Sequence, residues 1–275
     1  MFRNITIGQY YPVDSLIHRL DPRVKLLGVL VYIVSLFILN NVLCFIFLTA
    51  VLAALIIVSN VPLGHILKGL RFMGLLIACA VFFNLFFSEG TVLWQFWIFK
   101  LTKEGILKAV FFSFRLVYVV IGTSMLTYTT SPTSLTNGLE KVFTPLSVIH
   151  FPAHEMAMMM SIALRFIPVL ADEVNKIINA QLCRGADLDT GGVIKKAKAM
   201  VPILIPLFVS AFKRAADLAT AMEARCYHGG AGRTKIFPLK YASRDKAAYF
   251  VCLAYAAVIV LIRILMDSYV SFGRV

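Results

Sequence analysis

Apolar residues gather in five long runs, at roughly 24–40, 42–59, 70–88, 106–130 and 247–266, with short polar breaks between the early ones. A hydrocarbon core about 30 Å thick is crossed by about 20 apolar residues in a helix, so the runs predict about five transmembrane helices. Backbone groups in lipid must be satisfied within the segment, and long uninterrupted runs do that as helices. The expected fold is therefore all-α and polytopic. Asn40 and Asn41 break the first two runs, and His65, Lys68 and Arg71 mark the return after the second. Five spans place the two ends of the chain on opposite sides.

Between the fourth and fifth runs the pattern changes. Leu170, Val174, Ile177, Ile178 and Leu182 recur at helical spacing opposite Asp172, Glu173, Lys176, Asn179 and Gln181, which predicts a long helix with one apolar and one wet face. A second follows the break at Gly191 and Gly192. It is strongly apolar from Met200 to Phe212, then carries Lys213, Arg214, Asp217 and Glu223. A shorter amphipathic piece, Thr130 to Leu146, has a helix start near Ser131, Pro132 and Thr133 and a stop at Pro145. The chain thus divides into an N-terminal segment 1–23, a four-span membrane part 24–130, an amphipathic region 131–246 of one short and two long helices, and a last span with its tail, 247–275.

The two long helices share a layout. Ile167-Pro168 is expected to begin one and Ile205-Pro206 the other, with Arg184 and Arg225 near the far ends. A cation is favoured there by the helix dipole. Gly185 follows the first arginine directly, and Gly229 and Gly230 follow the second at four and five residues. Glycine past the last turn is a common helix stop, so ordinary decorated helix ends account for each copy. They do not account for the duplication. A guanidinium suits a bidentate grip on a carboxylate, and two such ends suit two similar partners or the two halves of a pseudo-symmetric one.

Composition agrees with a bilayer: 60% of the 275 residues are hydrophobic and 15% charged, against roughly 25% charged in soluble domains. The net charge of +13 would raise nucleic acid in a polar protein, but no basic stripe with interleaved aromatics is present. Of 27 basic residues, 21 fall in the N-terminal stretch to Lys25, the turn at 60–71 and the segment 131–246, which the positive-inside bias places in the cytoplasm. Lys100, Lys103 and Lys108 oppose that assignment. Arg3, Asp14, Arg19, Asp21 and Arg23 precede any long apolar stretch, a pattern without a cleavable signal peptide. The first span is expected to remain.

Candidate chemistry is sparse. Cys44, Cys79, Cys183, Cys226 and Cys252 are odd in number and form no C-x-x-C, so neither a disulfide framework nor zinc is indicated. His150, His154 and Glu155 stand close, but Pro152 intervenes and no H-E-x-x-H exists. Gly229 to Lys235 is glycine-rich and basic without the P-loop order, and no nucleophile elbow is found. No cofactor, metal or catalytic residue is expected. Trp94, Trp97, Phe96 and Phe99 read as an interfacial aromatic belt. Arg115, inside the fourth run, calls for a partner or an interface; a substrate-pathway role and a structural pairing both remain open.

Four stretches together resemble the transmembrane T component of energy-coupling factor transporters, importers of vitamins and micronutrients in the ATP-binding cassette class. They are HRLDPRVKLL (His18–Leu27), TTSPTSLTNGLEKV (Thr129–Val142), ALRFIPVLADEVNKIINAQLCRGAD (Ala163–Asp187) and AMEARCYHGGAGRTK (Ala221–Lys235). The family carries an Ala-Arg-Gly motif at the end of each of two coupling helices. Here they read Cys183-Arg184-Gly185 and Ala224-Arg225-Cys226, each with one cysteine departure.

The resemblance implies that those six residues dock on two ABC-type ATPase subunits and that the apolar surfaces hold a membrane-embedded substrate-binding S component. ATP-driven closure would then tip the S component. It further implies a bacterial cell-membrane protein, with motifs like those of the shared-module type that serves several S components. Met156, Met159, Met160 and Leu164 are the expected S-component contacts; flexible methionines suit a surface that repacks, although core packing explains them too. A stand-alone secondary transporter is the alternative, and it would need paired intramembrane charges. Beyond Arg115 the chain offers few.

Overall fold

The computed structural model describes residues 10–38, 42–87, 91–96, 99–149, 151–186, 192–229, 239 and 241–272. Eight α-helices are described: α1 (Pro22–Ile38), α2 (Val42–Ser59), α3 (Leu63–Phe86), α4 (Lys103–Thr129), α5 (Pro132–Phe143), α6 (Ala153–Cys183), α7 (Val193–Ala224) and α8 (Ser243–Phe272). The architecture is all-α, with one small addition. Strands β1 (Val92–Phe96) and β2 (Phe99–Thr102) form an antiparallel hairpin before α4, and the Thr102 hydroxyl accepts the Gly105 N–H at 3.1 Å to start that helix. Trp97 lies outside the described residues, and of Trp94, Phe96 and Phe99 only the strand positions are described. Asn40 and Asn41 also lie outside.

By length and apolarity Gly105–Thr129, Ile194–Ala224 and Ser243–Ile264 could each cross a bilayer, as could Leu63–Arg71 and Met73–Phe86 if that bent pair is one span. Cys44–Ser59 is apolar but shorter, and α1 has 17 residues. Of the five expected runs, 106–130 and 247–266 thus fall in helices long enough to cross and 70–88 in the bent pair, while 24–40 and 42–59 fall in shorter helices. The second long amphipathic helix meets the same criteria, which its sequence did not suggest.

Residues 9–138 and 239–275 form one compact unit. Its core packs Tyr32 and Leu36 of α1 and Leu48 of α2 with Tyr118 of α4 and Ile259 of α8. Gly122 is required for this: a Cβ there would collide with the Tyr32 ring. Hydroxyls inside the unit find partners without leaving it, Ser35 with Tyr255 at 2.7 Å and Thr49 with Tyr118.

One end of this unit is tied by charge. Asp21 precedes Pro22, and its carboxylate accepts the Arg23 N–H at 2.9 Å, an N-cap followed by proline at the first helical position. The Asp21 N–H in turn donates to Asp245 at 2.8 Å, and the other Asp245 oxygen accepts the Ala242 N–H. Lys25 Nζ donates to the carbonyls of His18 and Thr129 at 3.2 and 2.8 Å, while the Arg23 guanidinium lies over the Tyr241 ring. Asp21, Lys25 and Asp245 are all buried. Buried charge is tolerable only when so thoroughly bonded.

His18 Nε2 faces the Tyr11 carbonyl at 3.1 Å, so it carries the proton, and Nδ1 accepts from the Ser15 hydroxyl. Burial, then the charge of Lys25, hold this imidazole below its ordinary value of 6.5. A lowered pKa makes the neutral form the folded one. Its contribution is present above about pH 6.5 and is lost as pH falls through the lower folded value. His18→Gln should therefore flatten the acid side of a plot of thermal midpoint against pH. Asp245→Ala should lower stability at all pH by about 1–3 kcal/mol through the unpaired N–H groups, read as a lower midpoint in detergent.

Candidate coupling surface

The second compact unit contains residues 139–238, of which α6 and α7 are the main described parts. Prolines 168, 202 and 206 lie inside these helices. The expectation that Pro168 and Pro206 begin them is corrected: both helices start earlier, after Pro152 and Gly192, and each gains apolar turns ahead of its proline. Their 31 and 32 residues give about 46–48 Å each.

Gln181 Nε2 donates to the Pro202 carbonyl at 3.4 Å, and Arg214 Nη2 to Glu173 at 2.9 Å. Contacts that retreat along α6 while advancing along α7 make the pair antiparallel. Its two C-terminal ends therefore lie toward opposite ends, with about 35 Å of helix rise between Pro202 and Arg225. The Arg214–Glu173 pair is too exposed to contribute more than about 1 kcal/mol, so it orients the helices more than it binds them.

The two ends close in the same way. At the end of α6, Arg184 is the cap, Gly185 sits at φ +83°, the Gly185 N–H donates to Leu182 at 3.0 Å and the Ala186 N–H to Gln181 at 3.0 Å. At the end of α7, Arg225 is the cap, Cys226 sits at φ +56°, the Cys226 N–H donates to Glu223 at 2.9 Å and the Tyr227 N–H to Met222 at 3.0 Å. Both are Schellman closures. The residue after each arginine must be left-handed, which glycine does freely and cysteine at a cost. The second stop is thus Cys226, not Gly229 or Gly230 as expected from the sequence. Gly230 to Lys235 lie outside the described residues.

Cys183, Arg184, Gly185, Ala224, Arg225 and Cys226 are all exposed. Among the described residues neither guanidinium has a hydrogen-bond or ion-pair partner. The helix dipole favours a cation at each site by about 0.3–1 kcal/mol and leaves its charge available.

Met156, Met159 and Met160 near the start of α6 are exposed and Leu164 is half-buried. A larger stripe was only partly legible in the sequence. On α7, Val201, Leu204, Ile205, Phe208, Val209 and Phe212 follow one helical face and all stand exposed, Phe212 at 74%. His154 Nδ1 donates to the Glu140 carboxylate at 3.1 Å, and its suggested metal companion His150 lies outside the described residues. Arg115, in the other unit, stacks over Phe37 at 5.6 Å.

Residues 14–236 match the CbiQ family, described as cobalt transport protein. The chain is 50% identical over 268 residues to the energy-coupling factor transporter transmembrane protein EcfT of Clostridium kluyveri, covering 96% of this chain and 98% of the relative. This chain belongs to the CbiQ/EcfT family. The EcfT of Ruminiclostridium cellulolyticum is 44% identical over 99% of the chain and 100% of its own length, and that of Bacillus subtilis 40% identical over 96% and 100%. A family member of this kind is the transmembrane component of an energy-coupling factor transporter, which agrees with the apolar helices described above.

If left-handed geometry fixes the arginines, Cys226→Gly should slow hydrogen exchange at the Tyr227 amide about fivefold, the equivalent of about 1 kcal/mol. Gly185→Val should speed exchange at Ala186 by more than that. Mass spectrometry of peptides spanning each helix end checks both.

Proposed function

We propose that the chain is the non-catalytic coupling subunit of an ATP-driven importer for vitamins or other micronutrients, joining two ABC-type ATPase subunits to a substrate-binding S component. The observation that carries this reading is the repeated closure at Arg184 and Arg225. Two like ends, each presenting an unpaired guanidinium, face away from each other on one antiparallel pair and suit two like partners. Each arginine would grip a carboxylate in an ATPase cleft, with Cys183 and Gly185, or Ala224 and Cys226, packing around it. Truncating such a buried charge contact costs about 2–5 kcal/mol.

The S component would lie on the apolar surfaces, including Met156, Met159, Met160 and Leu164. Closure of the two ATPases would draw on both ends of the helix pair and shift the surface between them. In this reading 131–246 is cytoplasmic, 24–130 and 247–275 hold the spans, and the protein resides in a bacterial cell membrane.

Although α7 is long enough to cross, its uncharged, mainly apolar stretch runs only from Ala199 to Phe212, between Lys198 and Lys213. That is about 20 Å of helix against about 30 Å of hydrocarbon. Such a stretch suits a helix lying along the membrane against another protein.

Arg184→Glu with Arg225→Glu should abolish co-purification of the ATPase subunits while the chain still inserts; retention of both ATPases in the double variant would sink the proposal. The native thiols test sidedness directly. A membrane-impermeant maleimide should label Cys183 and Cys226 in inside-out vesicles and spare them in right-side-out ones, with buried Cys44 silent in both.

A further inference from the structure

The membrane unit holds a cleft that its packing leaves open. Helices α2 and α8 meet where Phe47 and Tyr255 stack with ring centroids 6.1 Å apart. Toward the end that bears Asp21 and Asp245 a cavity of about 400 Å3 separates them, floored by α1 from Val24 to Tyr32 and walled by Leu55 of α2 and Val251 of α8. Val251 is 64% exposed, so the cleft opens sideways. We infer that this cleft seats one acyl chain of a membrane glycerophospholipid whose phosphate is held by Arg244.

The length fits. Val24 to Tyr32 is about 12 Å of helix, close to the roughly 15 Å depth of one hydrocarbon leaflet. The volume lies within the range of pockets that enclose small apolar ligands. The chemistry of the wall selects against water. Its polar atoms are mostly bonded: Lys25 Nζ gives two of its three N–H groups to carbonyls, the Ser59 hydroxyl donates to the Ile56 carbonyl at 2.9 Å, and the Tyr255 hydroxyl is paired with Ser35. A buried water needs two to four polar partners and would find few here, so the cleft favours an apolar guest.

The mouth supplies the charge. Arg244 precedes Ala248, Val251 and Cys252 by four, seven and eight residues, which puts it on the face of α8 that lines the cleft, one turn beyond its end. It is exposed and, among the described residues, has no hydrogen-bond or ion-pair partner. A guanidinium just past the end of an apolar slot matches a phosphodiester just past the end of an acyl chain.

The test is native mass spectrometry of the full-length chain ejected from nanodiscs of dioleoylphosphatidylglycerol. One phospholipid adduct should survive activation that strips the bulk lipid. Ala248→Phe fills the cleft from α8 and Val51→Phe from α2; both should eliminate the adduct while each keeps the parent's thermal midpoint in lipid-free detergent. Arg244→Gln should lower retention about tenfold, as loss of one charge-assisted contact implies. Val260→Phe, on the exposed outer part of α8, should leave it unchanged. An adduct that persists in either folded cleft-filling variant, is indifferent to Arg244→Gln, or falls equally in Val260→Phe would overturn the inference.

Discussion

The last carbonyls of an α-helix have no partners within it, and how a chain meets that demand decides what it can display at the helix end. At α6 and α7 the solution is the same left-handed turn, at Gly185 and at Cys226. The turn folds the following amides back onto the helix and leaves the residue before it at the rim. Arginine occupies that place twice. The root of each arginine side chain is thus set by backbone hydrogen bonds and not by a side-chain contact, so the residue is anchored at the rim while its charge stays unengaged. The arrangement requires one residue per end that accepts positive φ, and the chain satisfies it once with glycine and once, under strain, with cysteine.

The membrane unit solves a different problem by opposite means. There the charges are internal and engaged: Asp21, Lys25 and Asp245 are buried and bonded to backbone from three separate parts of the chain. A charge that has satisfied its capacity inside cannot also recruit a partner outside. The contrast between these groups and Arg184 or Arg225 separates holding the fold from presenting a surface, though the residue types overlap.

Much of this was legible from residue order. Periodicity marked the apolar runs and the amphipathic faces, because 3.6-residue spacing survives whatever packs against it. The two arginines stood out by their placement and by the motifs around them. Four features were hidden for physical reasons. Pro168 and Pro206 looked like helix starts because proline is common at first turns, yet helices long enough can carry it inside. Cys226 gave no sign of a left-handed conformation, since only the closing amides force it there. The hairpin before α4 has too few residues to establish a period of two, and its aromatic residues resemble an interfacial belt equally well. The paired Asp21 and Asp245 were visible separately, Asp21 beside a proline at a helix start, but nothing local joins them.

That last pairing has a temporal side. The Asp21 amide and the Asp245 carboxylate are 224 positions apart, so the start of α1 acquires its partner only after more than two hundred further residues have been made. At about 5–20 residues per second the interval is on the order of 10–45 s. Throughout it the nascent helices must wait with an open seam along α1, to be sealed by α8 when that helix leaves the ribosome.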